Sequence, residues 1–355
     1  MLSRGGIAHS FPHTPTARLR RCVFEHSVRM APTSTAPQMA EPGIAILGRP
    51  LFCVAHASEL RQKPYSRGQL RSLVDRGTLV RVAYGYYAAI EVWQNLTPEG
   101  RHLELARAVA RRSDDLQFSH ATAALLHGLP WLSSPPSKAQ VNTHRKGGAR
   151  SSAVIQRRRV GFDPAPTTVD GLRVTSVART LLDVACAEPL AVGLACADAA
   201  LRDRRVTRRQ LLGIISENEH RTGFSRASDV ARLADARVES VGESLCRARI
   251  HELHFEQPSL QHAFYDADGF IGRGDFYWED AQILLEFDGH VKYIDQSILR
   301  GRNPSEVLVD EKLREDRIRR TGVIVIRVAW RDVIDAARFA RILQRAGVPM
   351  RYSPR

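Results

Sequence analysis

The chain has 355 residues, enough for two or three domains at roughly 150 residues each and too many for a scaffold that needs disulfide or metal staples to hold a core. Lys and Arg number 52 against 38 Asp and Glu, a formal charge of +14 with an isoelectric point near 10.2, so an extended anionic partner is expected, nucleic acid ahead of an acidic membrane surface. Five cysteines (Cys22, Cys53, Cys186, Cys196, Cys246) without a CxxC pair argue against a disulfide framework and a zinc ribbon.

Residues 1–45 mix Pro, Thr, Ser, Ala and Arg without period, and through position 50 hold six basic against two acidic residues, the composition of a disordered basic arm. The Arg20-Arg21 pair is followed by Cys22-Val23-Phe24 and then Glu25-His26, which interrupts any export signal. No run of about 18 apolar residues spans a membrane, and the expected setting is the reducing cytoplasm. Met30 and Met39 offer later translation starts.

Residues 46–92 read as a winged helix-turn-helix. An apolar helical start at Leu51 and a short helix over 57–61 precede a break at Pro64-Tyr65. Ser66 then stands as an N-cap with Gln69 three residues on, as in a capping box, and Leu70, Leu73 and Val74 form the buried stripe before Gly77. Leu79 to Val82 and Tyr86 to Ala88 are β-rich runs around Ala83-Tyr84-Gly85, a small hairpin. The second helix presents Arg67, Gln69, Arg71, Ser72 and Arg76, and the wing adds Arg81, a mix of side chains that seek phosphates and read base edges in double-stranded DNA. A merely soluble short helix can carry the same residues.

Residues 97–218 are mainly helical, with short extended runs at 139–142 and 153–156. Helices are expected over 106–112, from Ser119 to near Gly128, and from Arg179 to Ala185. Arg145, Lys146, Arg150, Arg157, Arg158 and Arg159 form a purely basic run, either a solvated loop face or a phosphate-contacting strip. His56, His120 and His127 show no metal-motif spacing.

Residues 238–345 change texture to a helix carrying Glu243, strands over 259–265, 270–278 and 282–288, a charged helix over 310–320 and an apolar strand over 323–328, with the α/β layer complete by Trp330. Alternation along 283–288 puts Glu286 and Asp288 on one face, and a turn at 279–281 brings Gly274 or Asp275 opposite Glu286, with the Asp275 carboxylate beside them. Three clustered carboxylates repel one another, and a divalent cation such as Mg²⁺ relieves this while activating water at a phosphodiester. On an exposed strand the same acids would serve only solubility. Lys312 and Asp316 are spaced for an ordinary helical ion pair.

Gly274-Asp275-Phe276, Leu284 to Gly289, Asp316-Arg317 and Val325 to Val328 resemble the domain of unknown function 559, which is similar to very-short-patch-repair endonucleases of the PD-(D/E)xK superfamily. The resemblance implies a restriction-endonuclease-like α/β domain with Asp275 and Glu286 as metal ligands and Glu243 and Asp288 as assisting acids. Asp288 stands where the superfamily has Lys, so Lys292 or Lys312 would supply the cation. Ser66 to Ala88, Ser119-His120 with His127 to Pro130, and Thr175 to Asp183 resemble AbiEi-type antitoxins of type IV toxin–antitoxin systems, which bind promoter DNA and counter a nucleotidyltransferase toxin. The expected protein is thus a multidomain α/β DNA-binding chain with a magnesium-dependent endonuclease-like end. The alternative is an antitoxin or transcriptional autoregulator whose nuclease-like domain is inactive. Winged helices that read paired half-sites make a homodimer plausible in either case.

Overall fold

The computed structural model describes residues 53–61, 65–113, 115–143, 151–289 and 304–351. The expected basic arm, the loop with Arg145, Lys146 and Arg150, and His290 and Lys292 lie outside them. The first unit comprises β1 (Val54–His56), α1 (Ala57–Arg61), α2 (Arg67–Asp75), β2 (Leu79–Ala83) and β3 (Tyr86–Ala89). Its antiparallel sheet has the order β1-β3-β2.

Val54, read above as part of a helical start, is instead in a strand. It pairs with Ala88 across the hairpin edge, and both side chains are fully buried. The pairing satisfies backbone groups that a short helix would leave open at both ends. Leu60, Leu70, Leu73 and Leu79 close a small core beneath α2. That helix begins in a complete capping box and stops at Gly77, whose φ of 72° lets its N–H return to the Val74 carbonyl.

The middle of the chain holds α3 (Ile90–Asn95), α4 (Pro98–Ala110), α5 (His120–Leu126), the parallel pair β4 (Ala139–Asn142) and β5 (Ile155–Arg158), and the hairpin β6 (Thr167–Val169) and β7 (Leu172–Val174). Four helices follow: α6 (Val177–Ala187), α7 (Leu190–Arg202), α8 (Arg208–Ser216) and α9 (Phe224–Leu233). Helix α7 is buried from Leu190 to Leu201, with α6 and α9 packed against it and α8 packed on those two. A helix apolar on all sides needs such a surround. Helix α9, beyond position 218, belongs to this packing through Ala227, Val230 and Leu233.

The last part comprises α10 (Val241–Glu252), β8 (Ser259–Asp266), β9 (Gly269–Trp278), β10 (Ile283–Asp288), α11 (Pro304–Arg320), β11 (Ile324–Ala329), α12 (Trp330–Ile334) and α13 (Ala336–Ala346). The sheet order is β11-β10-β9-β8; β10 and β11 are parallel and the other pairs antiparallel. Ile283, Leu285 and Phe287 join the core with α10, whereas Leu284 joins Tyr277, Val325 and Ile318 of α11. A Cβ on Gly242 would overlap the Phe287 ring, so glycine there sets how closely α10 approaches the sheet. The layer is not complete at Trp330, because α13 adds the fully buried Phe339 and Leu343. Helix α10 also packs on α7, making one continuous core of the helical bundle and the sheet. Among the described residues no helix is long and apolar enough to cross a membrane.

Candidate functional site

Two surfaces expected to carry function can be built from their residues upward. On α2, burial of Leu70 and Leu73 turns the opposite face outward, so Arg67, Gln69, Arg71, Ser72 and Arg76 are all exposed. Gln69 Oε1 accepts the Ser66 N–H at 2.8 Å and the Ser66 hydroxyl accepts the Gln69 N–H at 3.2 Å. The carbonyl end of Gln69 is thus committed to the cap, and a two-pronged contact with adenine would break it. Arg71 lies 3.9 Å from Asp75 with both side chains largely exposed, a weak pair that leaves the guanidinium available. Arg81 stacks over the Tyr84 ring at 5.2 Å, and Tyr84 is 77% exposed at the hairpin tip. The surface therefore offers four guanidinium groups and one planar ring to an anionic polymer.

The carboxylates of the last domain are arranged differently from the expected cluster. The β9–β10 ladder ends at Leu285↔Phe276, and beyond it Asp275 Oδ2 accepts the Phe287 N–H at 2.9 Å, so the carboxylate occupies the split between the strands. Gln261 on β8 has a φ of 52° and its amide lies 3.4 Å from Asp275 Oδ1. This left-handed residue interrupts the alternation: Leu260 joins the core with α10, whereas Phe264, also even-numbered, joins the core with α11. Asp275 and Glu243 both act electrostatically on the buried Cys246 of α10, whose thiol is pushed upward first by burial and then by these charges. Glu243 Oε2 accepts the Glu239 N–H at 3.0 Å just ahead of α10.

Glu286 turns toward α11. Its Oε1 lies 2.6 Å from Arg314 and its Oε2 3.4 Å from Arg327, the residue paired with it across the parallel strands. Arg314 and Arg327 are tied in turn to Glu311, and Arg327 also to Glu315. Burial raises the Glu286 carboxyl above its ordinary range while Arg314 opposes the shift. Asp288 closes β10 half-buried, and Lys312 is exposed. Among the described residues Lys312 forms no ion pair, Asp316 included, so the expected helical pair is not made. Nor, among the described residues, do three or more His, Cys, Asp or Glu side chains come together to hold a metal ion. Glu286 is engaged by Arg314 and Arg327, which Glu311 and Glu315 share, and Asp275 Oδ2 by the Phe287 N–H, so the expected carboxylate cluster for Mg²⁺ is not formed among the described residues.

A third assembly was not anticipated. Asp183 on α6 is fully buried, and its Oδ1 accepts from Arg179 Nε at 3.0 Å and Arg221 Nη2 at 2.8 Å. His120, with a φ of 52°, sits 3.9 Å away and meets the Ser119 hydroxyl at 2.9 Å. Burial holds its imidazole down at about 4, with Asp183 pulling the other way. The i,i+4 spacing of Arg179 and Asp183 is the one sequence signal that could have found this cluster.

Residues 117–232, which contain all of this assembly, match the family described as the AbiEi antitoxin C-terminal domain. Two proteins of Mycobacterium tuberculosis, MT2308 and Rv2248, both described as uncharacterized, are each 30% identical to this chain over 303 residues. The alignment covers 79% of this chain and 98% of either relative. The crystal structure of RV2827C protein from the same organism aligns at 18% identity with a TM-score of 0.36, over 63% of this chain and 87% of that one.

Proposed function

The chain belongs to the family of the Mycobacterium tuberculosis proteins MT2308 and Rv2248, and on that premise we propose that it is a DNA-binding regulator of the antitoxin type. The observation that carries the reading is the match of residues 117–232 to the AbiEi antitoxin C-terminal domain, in a chain whose earlier helix α2 is capped and has an exposed, basic outer face. In this reading α2 enters the major groove as the recognition helix of a winged helix-turn-helix. Arg67, Arg71 and Arg76 reach phosphates or guanine edges, Ser72 approaches the bases, and Arg81 with Tyr84 follows the adjacent backbone. The domain over 117–232 engages a toxin, a nucleotidyltransferase by analogy with the family it resembles. A dimer would place two recognition helices on paired half-sites.

Magnesium-dependent cleavage is not part of this proposal. In this reading the last domain serves as a scaffold: Glu286 is held in ion pairs with Arg314 and Arg327, and the sheet shares its core with the helical bundle. A mobility-shift assay on DNA upstream of the chain's own gene tests the proposal. The wild type should retard the fragment, and a variant with Arg67, Arg71 and Arg76 all changed to Ala should not at the same concentration. Retardation by both alike would move the interface off α2.

A further inference from the structure

A cavity of about 800 Å³ opens where α7, α8 and α9 meet the start of the C-terminal domain. Its lining combines the apolar Leu201, Val206, Leu233, Pro258 and Leu260 with Arg204, Arg208, Arg232 and Arg237, and includes the buried Arg247. Asp235 is the one carboxylate among the lining residues. Asp235 pairs with Arg237 at 2.8 Å, Asp229 with Arg232 at 2.6 Å and Asp198 with the buried Arg247 at 3.2 Å, which leaves Arg204 and Arg208 as the lining arginines without a carboxylate among the described residues. Arg208 donates to the Ala234 and Arg232 carbonyls, which fixes its guanidinium without neutralising it.

Two donors have no protein acceptor among the described residues. Arg204 is exposed and, among the described residues, its side chain has neither a hydrogen bond nor an ion pair. Gln257 lines the same cavity, and its amide nitrogen, buried without a partner among the described residues, is a donor that a turn of the side chain would bring to an acceptor there. Guanidinium charge beside apolar side chains is complementary to a planar apolar group bearing phosphates. The volume lies within the range of small-molecule pockets.

We infer that this cavity binds a free nucleotide, its base against Leu201, Val206 and Leu260 and its phosphates on Arg204, Arg208 and the Gln257 amide. The site is separate from α2 and goes beyond the DNA-binding reading, giving the regulator a small-molecule input. A duplex backbone offers the same phosphates, so calorimetry on the full chain should compare ATP, GTP, inorganic phosphate and a short DNA duplex. Saturable one-to-one binding of ATP or GTP is expected, weakened about tenfold or more by Arg204→Glu and by Gln257→Leu. The same binding should be unchanged in a chain carrying Arg71→Ala and Arg76→Ala. Arg204 supports no other side chain, so Arg204→Glu should keep the wild-type melting temperature. The inference is overturned if neither nucleotide binds, if nucleotide binding survives both cavity variants at full strength, or if only the duplex responds to Arg204→Glu. None of these outcomes depends on whether α2 binds DNA.

Discussion

Removing the Asp183 carboxylate would leave Arg179 and Arg221 without the counter-charge they share in the interior. A buried pair broken from one side costs about 3–5 kcal/mol, and Asp183→Ala should lower stability by that amount in a denaturant titration. An unchanged midpoint would mean that the cluster contributes nothing to folding. His120 gives the same site a pH dependence. The unfolded chain takes up the imidazole proton below its ordinary value of 6.5, whereas the folded chain resists until about 4. Stability is therefore complete above 6.5 and is lost as pH falls toward 4, by about 2 kcal/mol between about pH 7 and about pH 5. His120→Gln should lose about that much less over the same interval, and parallel losses in the two proteins would assign the titration elsewhere. The basic run around Arg158 and the pair Arg179 and Asp183 were visible as residue types, but their convergence on His120 depends on how α5 and α6 pack, which no local pattern encodes.

Helix α2 was legible because its determinants are local: cap, apolar stripe and glycine stop lie within a dozen residues of one another. Ser66→Ala should cost about 1 kcal/mol and fray the turn that holds Arg67, weakening DNA binding without touching a contact residue. Guanidine denaturation alongside the mobility shift would separate these effects, and a loss of neither would contradict the cap's role. Strand β1 was missed because its partner lies more than thirty residues away, at Ala88. Turn position narrowed the residue opposite Glu286 to Gly274 or Asp275, but the side-chain directions did not follow from it. A positive φ at Gln261, a residue with no special liking for it, swaps the faces of β8, and the β9–β10 ladder stops one step early. Arg314 and Arg327 escaped for a related reason. Only the parallel return through α11 sets them beside Glu286. Where α10 meets β10, Gly242→Ala should push the helix off Phe287 and cost about 1–3 kcal/mol, readable as a lower melting temperature. A neutral result would show that the ring can move aside.

Across the molecule, the helical bundle and the C-terminal sheet behave as one body because their apolar cluster is continuous and Arg247 on α10 grips Asp198 on α7 through both carboxylate oxygens at 3.2 Å. Ser244 and the Asp235 N–H complete the shell of Asp198, whose carboxyl burial lifts to about 6 against the pull of Arg247. A signal received in the cavity beside Arg247 would thus reach both halves of this body. With a net charge of +14, the proposed DNA binding would be electrostatic, its affinity falling with salt as counterion release gains less. The most direct measurement is the salt dependence of binding, followed by fluorescence anisotropy with a labelled duplex from the chain's own promoter. On the proposed reading, Arg71→Ala with Arg76→Ala on α2 should weaken binding at every salt concentration and flatten the log–log slope by about one per arginine. An unchanged slope and affinity in the Arg71→Ala, Arg76→Ala chain would contradict the assignment of α2 as the DNA-reading element.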